Sequence, residues 1–161
     1  MNFRKKIITW DQLPAWRSAL RDAGKKLVVT NGCFDILHVG HATYLEASRQ
    51  QGDVLLVGLN SDTSVGELKG SGRPVNTESD RAAVLAALES VDGVCIFSEK
   101  TATRFLSHAQ PDIYAKGGDY TAETMNQDER HAVEEAGGRI AIVPIVAGKS
   151  TTALLQKISR L

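Results

Sequence analysis

"TNGCFDILHVGH", residues 30–41, is the stretch of sequence that decides the fold. It continues the apolar run that starts at Lys26 and leads into "HATYLEASRQQG", where apolar residues recur at a spacing near 3.6. A buried strand that turns directly into a helix is typical of the first β-α unit of a parallel sheet. The polar residues between the two then lie at the carboxyl end of the strand, where open parallel sheets bind their ligands.

The rest of the chain repeats this unit. Four further apolar runs predict strands and three further amphipathic stretches predict helices between them, before a last helix, "STTALLQKISRL". The predicted strands are "KLVVTNG", "VLLVGLNS", "GVCIF", "DIYAKGG" and "RIAIVPIV". Nearly continuous apolar strands indicate burial on both faces. The sequence predicts an α/β, doubly wound, Rossmann-like sheet of five parallel strands with helices on both faces: an N-terminal helical extension over residues 1–24, then residues 25–161, one domain overall.

Composition limits the partners. The 161 residues are 42% apolar and carry 19 basic and 19 acidic side chains, so the basic surface typical of a nucleic-acid binder is not expected. No apolar run is long enough to span a bilayer, and we expect a cytoplasmic protein with small-molecule partners and no membrane association. Cys33 and Cys95 are expected to be free thiols in a reducing compartment.

The cysteine and histidines of the first stretch admit four interpretations. Cys33, His38 and His41 could hold a metal, although one thiolate and two imidazoles fall short of a structural zinc site. Cys33 could be a nucleophile with a histidine base, or the histidines could simply end a helix. The fourth interpretation is a phosphate site, since His38 and His41 share a face at a helix N-terminus and Gly40 lets backbone approach closely.

Other strand ends favour the phosphate interpretation. Polar residues follow strand two at 60–62, strand four at 116–120 and strand five at 148–152, where Ser150 is a good N-cap for the last helix. A second helix N-terminus facing the first would provide a second anion site. Residues 61–79 contain three glycines with Lys69 and Arg73, and we expect this long irregular segment to act as a mobile lid over a polyphosphate.

On these residues the chain resembles the nucleotidyltransferases with a His-x-Gly-His motif. The resemblance runs from Lys26 to Leu161, with the first signature at residues 30–41 and the last at Ser150-Thr151-Thr152. It implies transfer of AMP from ATP to a sugar 1-phosphate, specifically a heptose 1-phosphate supplied by a separate heptose kinase. Mg²⁺ is expected to bind to the phosphates of ATP, without a protein metal site. A homo-oligomer is expected at family level.

The resemblance also implies roles for individual residues. Catalytic roles fall on His38, His41, Lys69 and Arg81. Nucleotide binding falls on His38, His41 and Arg81 together with Asn31, Gly32, Cys33, Phe34, Gly40, Arg73, Val146, Gly148, Ser150, Thr151 and Thr152. Binding of the acceptor falls on Asp35, Asn60, Lys69, Lys116, Gly117 and Asp119.

Two alternatives remain open at this point. Family members that transfer cytidylyl groups to glycerol phosphate carry Arg-Thr-Glu-Gly-Ile-Ser-Thr-Thr after strand five, whereas this chain has Ile145 to Thr152, "IVAGKSTT". The missing Arg and Glu favour adenine, and a cytidylyltransferase acting on glycerol phosphate or another small phosphate is the alternative enzyme. The alternative from another class is a non-catalytic adenylate-binding module.

Overall fold

The structure is a computed structural model that describes residues 2–161. Its strands are β1 Leu27–Gly32, β2 Val54–Asn60, β3 Gly93–Phe97, β4 Ile113–Gly117 and β5 Arg139–Val143. Its α-helices are α1 Leu13–Asp22, α2 Val39–Arg49, α3 Asp62–Lys69, α4 Glu78–Ala87, α5 Thr103–Ala109, α6 Gln127–Glu135 and α7 Thr151–Ile158, preceded by a short 3-10 helix at Phe3–Lys6.

The five strands form one parallel sheet in the order β3-β2-β1-β4-β5. The predicted doubly wound class is therefore confirmed. The chain runs outward from β1 to β3 and then returns to add β4 on the other side of β1. The order reverses between β1 and β4, and at such a point the connections on the two sides diverge and leave a crevice at the strand ends.

Two apolar clusters cover the two faces of the sheet. One contains Val29 and Tyr114 with residues of α5 and α6, and the other contains Val28 and Leu45 of α2. All seven residues of β2 are buried, as its continuous apolar run predicted. Trp10 and Trp16, next to and within α1, are partly buried against the first cluster.

The structure corrects part of the segment that was expected to be irregular. Residues 62–69 form α3, because Ser61 caps the helix by accepting a hydrogen bond from Ser64 N at 3.2 Å and Val65 is fully buried. Residues 70–77 remain irregular. The prediction was misled by three glycines in the segment, one of which, Gly66, lies inside the helix.

Within residues 2–161, no helix combines the length and apolar character needed to cross a membrane.

Candidate active site

The crevice at the ends of β1 and β4 holds a cavity of about 500 Å³. Its walls come from the loop after β1, the first turn of α2, the end of α3, the loops after β4 and β5, and the first turn of α7. Predicted residues that line it are Asn31, Gly32, Cys33, Phe34, Asp35, His38, Gly40, His41, Lys69, Arg73, Lys116, Gly117, Asp119, Val146, Ser150, Thr151 and Thr152.

Two helix N-termini meet at this cavity. Thr151 Oγ1, at the start of α7, donates a hydrogen bond to Ile36 O in the loop before α2 at 3.2 Å. A Cβ on Gly40 would lie 2.9 Å from the His38 ring and 3.1 Å from Lys149 Cβ, so the two helix starts approach as closely as glycine allows. The free N–H groups of both helices therefore face one cavity, an arrangement that favours an anion with several charges.

The two histidines stack at this point. His38 is the N-cap of α2, and its ring lies 3.9 Å, centroid to centroid, from that of His41. Both ring nitrogens of His38 are buried, and neither has a hydrogen-bond partner among the residues that the structure describes. Buried polar atoms without partners are rare in folded proteins, and here they border the cavity.

His41 is neutral in the free protein at pH 7. Burial and, to a lesser extent, the neighbouring His38 lower the pKa of His41 from 6.5 to about 4. The backbone N–H of His38 donates to His41 Nδ1 at 3.4 Å, which leaves the hydrogen of the neutral ring on Nε2. A bound phosphate would favour the cationic form, in which both nitrogens donate.

Cys33 lines the cavity as a protonated thiol. Burial raises its pKa against the opposing influence of Lys69, Arg81 and Arg73. A protonated thiol is a poor nucleophile, which leaves the nucleophile interpretation without support. Among residues 2–161 no three histidine, cysteine or acidic side chains are grouped so as to hold a metal ion, and Cys33, His38 and His41 are accordingly not such a group.

Asp35 lines the cavity but its carboxylate is fully buried against the loop that follows α3. It accepts hydrogen bonds from Arg73 Nε at 2.7 Å and from the backbone N–H groups of Val75 and Asn76 at 2.9 Å. Burial alone would raise the pKa of Asp35, but these donors outweigh it and lower the pKa. The carboxylate therefore ties residues 73–76 to the loop after β1, and those residues are not a free lid.

Three predicted residues, Arg81, Asn60 and Gly148, lie outside the cavity. Arg81 is buried beneath it, where its guanidinium donates to Cys33 O, Asn60 O and Asn76 O at 2.7–3.0 Å and to Asp62 Oδ1 at 2.8 Å. Asn60 is also buried, and its side chain donates to Ser64 Oγ. Arg81 was expected to contact phosphate directly, and Asn60 to contact the acceptor. In the structure both side chains instead form hydrogen bonds to protein atoms.

Gly148 is likewise absent from the cavity wall, and its φ of +74° identifies it as a turn residue before α7. Four residues that line the cavity were not among the predicted site residues: Tyr44, Tyr120, Ile145 and Lys149. Tyr44 could have been found from spacing, since it lies three residues after His41 on the same face of α2.

Two helix N-termini with neighbouring lysines, an arginine and histidines, at the switch point of a parallel sheet, are an arrangement suited to binding a polyphosphate. The chain belongs to the cytidylyltransferase-like family, whose family model matches residues 29–155.

Two known proteins are similar to this chain in sequence. The chain is 52% identical over 153 residues to "Bifunctional protein HldE" of Geotalea uraniireducens and 47% identical over 154 residues to the protein of the same name from Methylobacillus flagellatus. These matches cover 95% and 96% of this chain but 31% of each relative, so the chain spans about a third of their length.

A solved structure is similar to this chain over nearly the whole length of the solved protein. The lipopolysaccharide core biosynthesis protein from Thermoplasma volcanium is 29% identical to this chain, with a TM-score of 0.62. The match covers 76% of this chain and 98% of that protein.

Proposed function

We propose that this protein transfers AMP from ATP to D-glycero-β-D-manno-heptose 1-phosphate and releases ADP-heptose and pyrophosphate. The observation that carries the proposal is the meeting of the α2 and α7 N-termini, with the unpartnered nitrogens of His38, at a cavity that Lys69, Arg73 and Lys116 also reach. Names of the relatives, which refer to HldE and to lipopolysaccharide core biosynthesis, support the choice of a heptose acceptor.

In this proposal the triphosphate lies across the two helix starts. His38 and His41 donate to phosphate oxygens from one side, and Ser150 to Thr152 from the other. The base lies near Val146, while the backbone at residues 32–34 packs against the nucleotide. Magnesium enters as part of the ATP substrate, because the carboxylates of this cavity are few and Asp35 is already engaged by Arg73.

The chemical step is an in-line displacement at the α-phosphorus. A phosphate oxygen of the sugar 1-phosphate forms the new P–O bond, and the bond between the α-phosphorus and the oxygen that bridges to the β-phosphate breaks. Pyrophosphate leaves with that electron pair. The attacking phosphate is ionised near pH 7 and needs no general base, so this chain contributes by holding two repelling anions together and neutralising the charge that builds up.

The acceptor is proposed to bind on the β4 side, between Lys69, Lys116 and Asp119. It carries its own phosphate, so phosphorylation of the sugar by a kinase activity must come before this step. Ile142 of the outer strand and Ile158 of the last helix are about half exposed, which supports the further proposal that copies of the chain associate. Light scattering of the purified protein tests that association.

Pyrophosphate release tests the function. The protein is incubated with ATP or CTP and with the heptose 1-phosphate or glycerol 3-phosphate, and we expect release with ATP and the heptose 1-phosphate. Release with CTP and glycerol phosphate alone would assign the cytidylyltransferase alternative. ATP binding without release in any combination would instead identify a non-catalytic adenylate-binding module.

A further inference from the structure

A buried hydroxyl group lies beneath the β4 side of the cavity and contacts three polar side chains. Tyr114 Oη lies 2.5 Å from Asn31 Oδ1 and 2.9 Å from Glu129 Oε2, and Lys116 Nζ donates to it over 3.2 Å. Tyr114 is fully buried and Glu129, on α6, is 6% exposed. Asn31 and Lys116 both line the cavity, so the hydroxyl connects its wall to α6.

One hydrogen cannot serve both acceptors. Burial and the nearby Glu129 raise the pKa of Tyr114 well above its ordinary value, so the phenol keeps its single hydrogen. A carboxylate is a stronger acceptor than an amide oxygen, and the Tyr114 hydroxyl therefore donates its hydrogen bond to Glu129. The amide of Asn31 must then turn its NH₂ group towards the phenol oxygen, which has room for one donor besides Lys116. In that orientation its carbonyl oxygen is the polar atom left for a ligand in the cavity, which Asn31 lines.

Glu129 is fixed by further contacts. Its Oε1 accepts a hydrogen bond from Ala102 N at 2.9 Å, and its Oε2 lies 3.7 Å from Lys116 Nζ. Burial lowers the pKa of Lys116, and Glu129 is the strongest influence that opposes this lowering. The carboxylate thus holds two groups, the phenol and the ammonium, by charge-assisted contacts.

The network belongs to one face of the sheet. Val29 and Tyr114 are register partners in β1 and β4, and Asn31 and Lys116 each lie two residues further along, on the same face. That face packs against α6, whereas His38 and His41 are on α2 at the opposite face. The cavity therefore has a histidine wall and a wall made by Asn31 and Lys116.

We propose that Glu129 is a positioning residue for the sugar acceptor. Through Tyr114 it fixes the Asn31 carbonyl oxygen as the acceptor of a sugar hydroxyl hydrogen, and directly it holds the Lys116 ammonium towards the sugar's phosphate. The assignment rests on the proposed function and deepens it. It moves Asn31 from the nucleotide, to which the sequence assigned it, to the acceptor.

Steady-state kinetics of Tyr114→Phe, Glu129→Gln and Asn31→Ala test the assignment. Each variant should raise KM for the heptose 1-phosphate by about 10-fold while KM for ATP stays within about twofold, as expected for a lost hydrogen bond in a buried network. Tyr114→Phe removes a single oxygen and keeps the packing, so it decides the question if Glu129→Gln does not fold.

Asp112→Asn is the matched control. It exchanges a carboxylate that accepts from Leu27 N at 2.7 Å and from Arg17 Nη2 at 3.1 Å for an amide, at the opposite end of β4. We expect it to lower stability without changing either KM. An active wild-type enzyme whose variants change KM for ATP instead, or change neither KM, would overturn this assignment alone. A wild-type protein that releases no pyrophosphate with the heptose 1-phosphate would overturn the proposed function and the assignment together.

Discussion

Asp35 and Arg73 form an ion pair, 2.7 Å between Oδ2 and Nε, that joins the loop after β1 to the loop before α4. The Asp35 carboxylate is fully buried, and two backbone N–H groups share it with the guanidinium. The pair therefore organises one side of the cavity before any substrate is bound.

Asp35→Asn should release this loop. The new NH₂ group would face three donors, and breaking a buried ion pair costs roughly 3–5 kcal/mol of unfolding free energy. Urea unfolding measures that loss, and tryptic cleavage after Lys69 should become faster. Asp53→Asn, at an exposed carboxylate that accepts from Lys26 N, is the control and should change little. Equal cleavage rates in wild type and Asp35→Asn would show that the pair does not restrain the loop.

Arg81→Lys should act on stability. Lysine keeps the charge but cannot reproduce the planar fork that reaches three carbonyl oxygens and Asp62, so we expect a loss of roughly 3–5 kcal/mol. Urea unfolding at fixed pH measures it, with Arg104→Lys at an exposed ion pair as the control. A variant that is as stable as wild type yet inactive would restore the direct catalytic role expected for Arg81.

His41→Ala should lower kcat by about 10²–10³, as expected for the loss of one preorganised donor to the transition state. Circular dichroism should show an intact fold. His131→Ala, at an exposed histidine on α6, should keep wild-type turnover. Wild-type turnover in His41→Ala would remove His41 from the proposed phosphate site.

His41 should also make stability depend on pH. Its folded pKa of about 4 lies below the unfolded value, so between these two pKa values the unfolded chain binds a proton at His41 and the folded chain does not. The contribution of neutral His41 to the free energy of unfolding is fully present above about pH 6.5 and is lost as pH falls towards 4. Urea midpoints across that range should fall less steeply for His41→Gln than for wild type, whereas His131→Gln should follow wild type. Parallel profiles for all three proteins would contradict the neutral, buried state of His41.

Lys69→Ala should slow turnover, because the side chain ends α3 at the cavity and can close on the phosphates only when substrate is bound. Pyrophosphate release under saturating ATP and acceptor measures the effect, with the exposed Lys25→Ala as the control. An unchanged rate would show that Lys69 does not act in turnover and that α3 only connects β2 to α4.

The sequence predicted the sheet because burial on both faces leaves a simple record: β2 is one uninterrupted apolar run. It also placed His38, His41 and Ser150 correctly at helix starts, since capping depends on neighbouring residues. Contacts between distant segments left no such local signal. The role of Arg81 depends on carbonyl groups that any residue would present, and Glu129 looked like one more charge on an amphipathic helix.

The direction of a side chain could be predicted only where periodicity fixed it. Tyr44 follows from His41 by helical spacing, whereas the bonds of Asp35 to residues 73–76 depend on how two irregular loops cross. Lys69 and Arg73, the basic residues of the expected lid, both line the cavity, but Lys69 ends a helix and Arg73 is held in an ion pair.

The Arg81 guanidinium has a consequence for how this sequence can diverge. It bonds to main-chain oxygens at Cys33, Asn60 and Asn76, so the side chains at these three positions can change without touching it. Inserting or deleting a residue nearby would instead carry a carbonyl group out of reach of a rigid planar fork. The number of residues around these three positions is therefore fixed, so long as the arginine remains.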